Sequence, residues 1–141
     1  MAVFNKYNCF VENVAEKVHN LASDVLKVAL TNTAPTAADT VWNTTVYPAP
    51  VAANGYTAGG NTPSITSSGQ SPSGTYRLIL GDTVFTATSG GIGPFRYVVL
   101  YNSTASNAVI GYYDYGSSIT LADTETFTID FDNTNGVLTI A

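Results

Sequence analysis

The chain has 141 residues, 45% of them hydrophobic and only 11% charged. That length and composition suit one folded domain with a core of its own and argue against disorder. The formal net charge is −5 with only 5 basic residues, too few and too scattered to grip a nucleic acid backbone. Cys9 is the single cysteine, so no intramolecular disulfide and no multi-cysteine metal site can form. A surface so poor in charge must be finished with Thr, Ser, Asn and Gly, as in proteins whose surface is covered by neighbours and in secreted β-proteins. Met1 to Phe10 lacks the basic and apolar regions of a signal peptide, and no apolar run approaches the roughly 18 residues of a membrane span. Synthesis in a cytoplasm, with no membrane partner, is the expectation.

Residues from about 5 to 22 carry the only helical pattern. Val11, Val14, Val18 and Leu21 form one apolar stripe, and Glu12, Glu16 and Lys17 take the opposite face. This predicts an amphipathic helix lying on a sheet. Val25 to Leu30 reads as a strand with Leu26, Val28 and Leu30 turned inward and Lys27 outward.

The character changes from about 31 to 74. All the prolines but Pro94 lie here, with several glycines, and Asp39 is the only charged residue. Proline fixes φ and removes a ladder donor, so strands are expected only at Asn61 to Ser67 and around Thr40 to Val46. So long an irregular segment with so little charge is expected to be ordered against another surface. Trp42, Tyr47 and Tyr56 sit within it. Together with Tyr7 they are the candidate interface residues, since aromatic side chains bury large area at low entropy cost.

From 75 to 141 short strands alternate with turn signals. Thr75 to Leu80, Thr83 to Thr88, Phe95 to Asn102, Ala108 to Tyr115, Ser117 to Leu121, Thr124 to Phe131 and Val137 to Ile140 are the candidates. Phe95 to Asn102 is apolar on both faces and reads as the central strand. The fold class is therefore mainly β, a single antiparallel β-sandwich domain of about eight strands with one N-terminal helix.

Chemistry is hard to assemble from these residues. His19 is the only histidine, and on a continuous helix Cys9 would lie about 15 Å from it, too far for a thiolate–imidazolium pair. Asp130-x-Asp132-x-Thr134-x-Gly136 resembles a calcium loop, but its glycine is one place late and no glutamate closes it. Asp and Asn are equally what a hairpin turn requires. Asp114, Asp123, Glu125, Asp130 and Asp132 could supply a glycosidase pair only if a cleft brought two to a defined separation. Gly90-Gly91-Ile92-Gly93 lacks the Gly-Lys-Ser/Thr ending of a phosphate loop. The reading is a protein that is no enzyme and holds neither cofactor nor metal. Arg96 is expected to find an acidic partner such as Asp114.

Four stretches carry a resemblance: Glu16 to Leu21 running into Leu26 to Asn32, Asn54 to Gly60, Ile92 to Asn102, and Gly111 to Leu121. In this order they resemble small virion proteins of tailed bacteriophages, in particular the jelly-roll cement (decoration) proteins of the capsid. The resemblance implies a non-catalytic protein on the capsid exterior that bridges neighbouring major capsid protein subunits, as a dimer or trimer. It implies assembly in the host cytoplasm. The alternative is a tail- or fibre-associated β-sandwich binding host glycans through Tyr112, Tyr113 and Tyr115.

Overall fold

The computed structural model describes residues 2–141. Nine strands form three antiparallel sheets. They are β1 (Phe4–Lys6), β2 (Leu26–Thr31), β3 (Ile65–Gln70), β4 (Tyr76–Leu80), β5 (Thr83–Thr86), β6 (Ile92–Asn102), β7 (Ala108–Leu121), β8 (Thr126–Ile129) and β9 (Leu138–Ile140). The largest sheet has the order β1-β7-β6-β2, and the smaller ones are β3-β4-β9 and β5-β8. The mainly β, antiparallel expectation is met.

The central strand is β6, as its two apolar faces foretold. Val98 and Leu100 point into the main core, where Leu26, Val28 and Leu30 of β2 join them. Leu78, Leu80, Phe85, Phe95, Ile129 and Phe131 belong to the same core. The opposite face of the same sheet presents Ala29, Val99, Tyr101 and Val109 to a second cluster. Strand alternation sends neighbouring residues to opposite faces, so one sheet serves two cores. The two strands expected at Ala108 to Tyr115 and Ser117 to Leu121 are one continuous β7, which bends through Gly116 at φ 83°.

The N-terminal helix is much shorter than its sequence pattern suggests. Phe4–Lys6 is a strand, and the helix α1 covers only Cys9–Ala15. Phe10 is its one buried residue, whereas Val11 is 56% exposed and Val18 lies beyond its end. The cause is a C-terminal cap. Lys17 adopts φ 64°, and the amides of Lys17 and Val18 turn back to Val14 O and Asn13 O. This is the paired bonding of a Schellman motif, built here on lysine where glycine is usual.

The segment 31–74 is irregular up to β3, with an isolated bridge between Val41 and Ala108 in place of a strand at 40–46. Just before β3 it docks edge-on: Val28 and Asn61 exchange both backbone hydrogen bonds at 2.8 and 3.0 Å. Gly60 makes this possible. It holds φ 80°, and a Cβ there would meet Val28 O at 1.8 Å. Among the described residues no helix is long and apolar enough to cross a membrane.

Candidate functional site

The four aromatic residues expected at an interface all lie inside the molecule. Tyr7 and Tyr47 have no exposed area, Tyr56 keeps 3% and Trp42 7%. A side chain already buried has no area left to cover with a partner, so none of the four anchors an external contact. Trp42 stacks on Tyr101 with ring centroids 4.6 Å apart and planes 7° from parallel. The Tyr7 and Tyr47 hydroxyls meet at 3.1 Å, and Tyr47 donates onward to Asp39 Oδ2. Tyr56 enters the main core, stacks on Phe85 and accepts the Leu30 amide at 3.1 Å. The surface that the uncharged segment orders against is therefore the protein's own sheet.

Electrostatics follow from this burial. Desolvation, then the bond and charge of its neighbours, pushes both the Tyr7 and Tyr47 hydroxyls above the ordinary phenol value. Tyr101 is pushed up to about 12, by burial first and Tyr56 second. Burial also pushes the Asp39 carboxyl up, but bonds from Tyr47 and Thr36 outweigh it and hold the group below the usual carboxylate value.

The outward side of this segment is aliphatic and hydroxylated. Val41 and Val46, each next to an inward aromatic, are exposed, and Val51 is 82% exposed. No charged residue lies between Asp39 and Arg77. Sequence reasoning missed these valines because nothing marks a valine among small polar residues as outward-facing in an aperiodic stretch.

The remaining candidates resolve individually. Arg96 clamps Asp114 with two bonds, Nε to Oδ1 at 2.7 Å and Nη2 to Oδ2 at 2.9 Å. That gives the cation its partner across β6 and β7. Asp114 Oδ1 also accepts the Gly116 amide at 2.8 Å, and Arg96 and Gly116 together hold its carboxyl below the usual carboxylate value. Asp123 accepts from the Gly90 amide, Glu125 from Ala122, and Asp132 from the amides of Thr134 and Asn135. These acids shape turns. Asp130 alone of the five has no hydrogen-bond or ion-pair partner among the described residues. Among the described residues, no three His, Cys, Asp or Glu side chains converge as a metal site would require.

His19 is buried outside the helix, with Nδ1 3.1 Å from Asn102 Nδ2. The Asn102 carbonyl oxygen takes the amides of Thr104 and Ala105, which fixes the amide nitrogen toward the ring. Nδ1 is thus the acceptor, and the neutral ring carries its proton on Nε2, which has no partner among the described residues. Burial lowers the His19 pKa, against a smaller opposing effect of Asp24. Cys9 contacts the carbonyls of Asp39 and Val109 instead, at 3.6 and 3.8 Å.

Tyr112, Tyr113 and Tyr115 do not share a surface. Tyr112 packs against Tyr7 in the second cluster, whereas Tyr113 and Tyr115 lie on the opposite face of β7 with the main core. A cleft of about 560 Å³ opens on that second side, lined by Phe4, Tyr113, Tyr115, Asp114, Asp130 and Asp132 among others. Phe4 reaches it because β1 pairs with β7 in the register Phe4 to Tyr113. A scan against protein-family models finds no match for this chain, and neither do comparisons with curated proteins and with solved structures.

Proposed function

We propose that this chain is a structural, non-catalytic virion protein. In this reading it binds the outer surface of a phage capsid as a dimer or trimer and cements neighbouring major capsid subunits, as its sequence resemblance implies. The observation that carries the reading is the uncharged surface between Asp39 and Arg77. Its exposed Val41, Val46 and Val51 are held on a rigid sheet by the inward Trp42 and Tyr47. A surface of that kind loses little on desolvation and is ordered before it binds, which lowers the entropic cost of docking. Contact over about 1,000 Å² or more is needed for a specific, stable attachment. The jelly-roll connectivity of the family belongs to the same proposal.

The test is occupancy on purified shells. Val46→Asp combined with Val51→Asp leaves the melting temperature close to that of the parent, because both side chains are exposed. It lowers the number of copies bound. Unchanged occupancy together with unchanged shell stability would sink the proposal. Mass-spectrometric stoichiometry gives an independent reading, because icosahedral decoration requires on the order of hundreds of copies per particle. A few copies would place the chain in the tail.

The glycan-binding alternative loses the residue set that motivated it, since Tyr112 is on the far side of β7 from Tyr113 and Tyr115. The rings that do reach the cleft pack against one another: Phe4 on Tyr113 at 5.4 Å and Tyr115 edge-on to Phe127 at 5.0 Å. They offer little free face for a sugar to stack upon.

A further inference from the structure

A second cleft, of about 530 Å³, opens where the end of α1 meets the β3-β4-β9 sheet. Lys17, in its left-handed conformation, turns the chain off the helix, and the Asn20 carbonyl then takes the amides of Ser23 and Asp24. This turn holds His19 inward against Asn102 at the end of β6. The sheet supplies the other wall, where Tyr76 pairs with Ile140 and its hydroxyl meets that of Ser68 at 2.7 Å. Val14 and Leu21 join Tyr76 and Ile140 to make much of the lining apolar.

The polar groups left uncommitted at this cleft are donors. His19 is 9% exposed and contributes to the wall. Its Nδ1 edge is turned to Asn102, which does not line the cleft, so the edge on the cleft side carries Nε2. That Nε2–H is buried and has no partner among the described residues. A buried donor without an acceptor is costly, and folded proteins rarely keep one. Asn20 Oδ1 accepts the Ala22 amide at 3.3 Å, which leaves Nδ2 as the end that can donate to a ligand. Lys17 is exposed at the rim and forms no ion pair among the described residues. No Asp or Glu lines the cleft. Asp24 stands behind the wall, where its Oδ2 accepts from the Asn20 amide at 2.8 Å and from Asn102 Nδ2 at 2.7 Å.

We propose that this cleft binds an aliphatic monocarboxylate, its carboxylate accepting from His19 Nε2–H and pairing with Lys17, its hydrocarbon chain lying along Val14, Leu21, Tyr76 and Ile140. The buried donor calls for an acceptor, and Lys17 makes a charged acceptor better than a neutral one. One cation with Asp24 close behind suits a single negative charge and disfavours a doubly charged phosphate. The apolar lining supplies the affinity that a small anion alone would lack. The proposal goes beyond the cementing reading and does not depend on it.

The experiment is an NMR titration of the intact, ¹⁵N-labelled chain with sodium hexanoate, following the His19 ring nitrogens. His19 is the only histidine, so its ring signals are identified without a variant. The proposal expects a ring protonated at Nε2 before addition and a saturable downfield movement of the Nε2–H proton. Hexanamide, which keeps the carbonyl and loses the charge, binds about ten-fold more weakly. Acetate, which loses most of the chain, is weaker by about ten-fold or more. Lys17→Gln weakens hexanoate binding about three-fold with the melting temperature close to that of the parent, since its side chain is exposed. Equal binding of hexanamide or of acetate overturns the proposal, as does an Nε2–H resonance that hexanoate leaves in place. A response to hexylamine or inorganic phosphate stronger than that to hexanoate also overturns it. Tighter binding of the peptide acetyl-Ala-Leu overturns it too, and assigns the cleft to a polypeptide C-terminus.

Discussion

The two faces of the four-stranded sheet are covered in different ways. One face meets other strands, and its core is built from Leu, Ile, Val and Phe side chains whose placement follows strand alternation. The other meets an irregular segment that has no ladder to hold it, and its core is Tyr7, Trp42, Tyr47 and Tyr101 around Ala29, Val99 and Val109. A loop attached at few points covers a sheet best with large side chains that also carry a hydroxyl. The Tyr7–Tyr47–Asp39 chain supplies the specificity that backbone pairing supplies on the other side. A segment rich in proline and poor in charge can thus be part of the interior.

The comparison breaks most visibly if each face is hollowed in turn. Phe95→Ala in the main core is expected to lower stability by about 3–5 kcal/mol, seen as a lower urea midpoint. Trp42→Ala is expected to cost about 3 kcal/mol, and amide exchange distinguishes the two variants. Loss of Trp42 speeds exchange first around Ala29, Val99 and Val109 and in the segment above them, as a sub-global opening. Loss of Phe95 speeds it throughout. Equal acceleration everywhere in both variants would show that the two cores are one cooperative unit.

A smaller effect isolates the polar chain. Tyr47→Phe keeps the ring and removes the hydroxyl that bridges Tyr7 and Asp39, with an expected cost of about 1–2 kcal/mol. Because Asp39 is held below its usual pKa in the fold, its contribution is present above the unfolded carboxylate value and lost as pH falls through the folded one. Acid titration of stability should therefore be shallower in Tyr47→Phe than in the parent. An identical acid limb in both proteins would detach Asp39 from the network.

The mildest test lies at the edge of the main core, where the His19 ring lies tilted beside Phe10 with centroids 5.6 Å apart. Its folded pKa is lowered, so between the folded and unfolded values the unfolded chain binds the extra proton. Stability from this site is complete above the unfolded value of about 6.5 and declines as pH falls toward the folded value. Urea unfolding at pH 7 and at about pH 5 should show this loss in the parent and a flatter response in His19→Gln. Stability unchanged between these two pH values would place the protonated ring comfortably in the fold.

Much of the framework could be read from the residues. Alternation located β2, β4, β5, β6 and β8 to within a few positions, and the apolar character of both faces of β6 anticipated its central place. The N-terminal helix misled because an apolar stripe is a statement about spacing, whereas Lys17 in a left-handed conformation ends the helix without the glycine that would announce it. Gly116 misled in the opposite sense, reading as a break between strands when β7 simply bends there.

Local sequence thus determined where the chain extends and which strand faces are apolar, because alternation ties side-chain direction to position along a strand. It named Asp114 as a candidate for Arg96, but only the pairing of β6 with β7 brought the two together. Tertiary structure alone decided that Trp42, Tyr47 and Tyr56 turn inward while Val41, Val46 and Val51 turn outward. In an irregular backbone no period links one residue's direction to the next, so only the sheet beneath could settle which side chains it would accept.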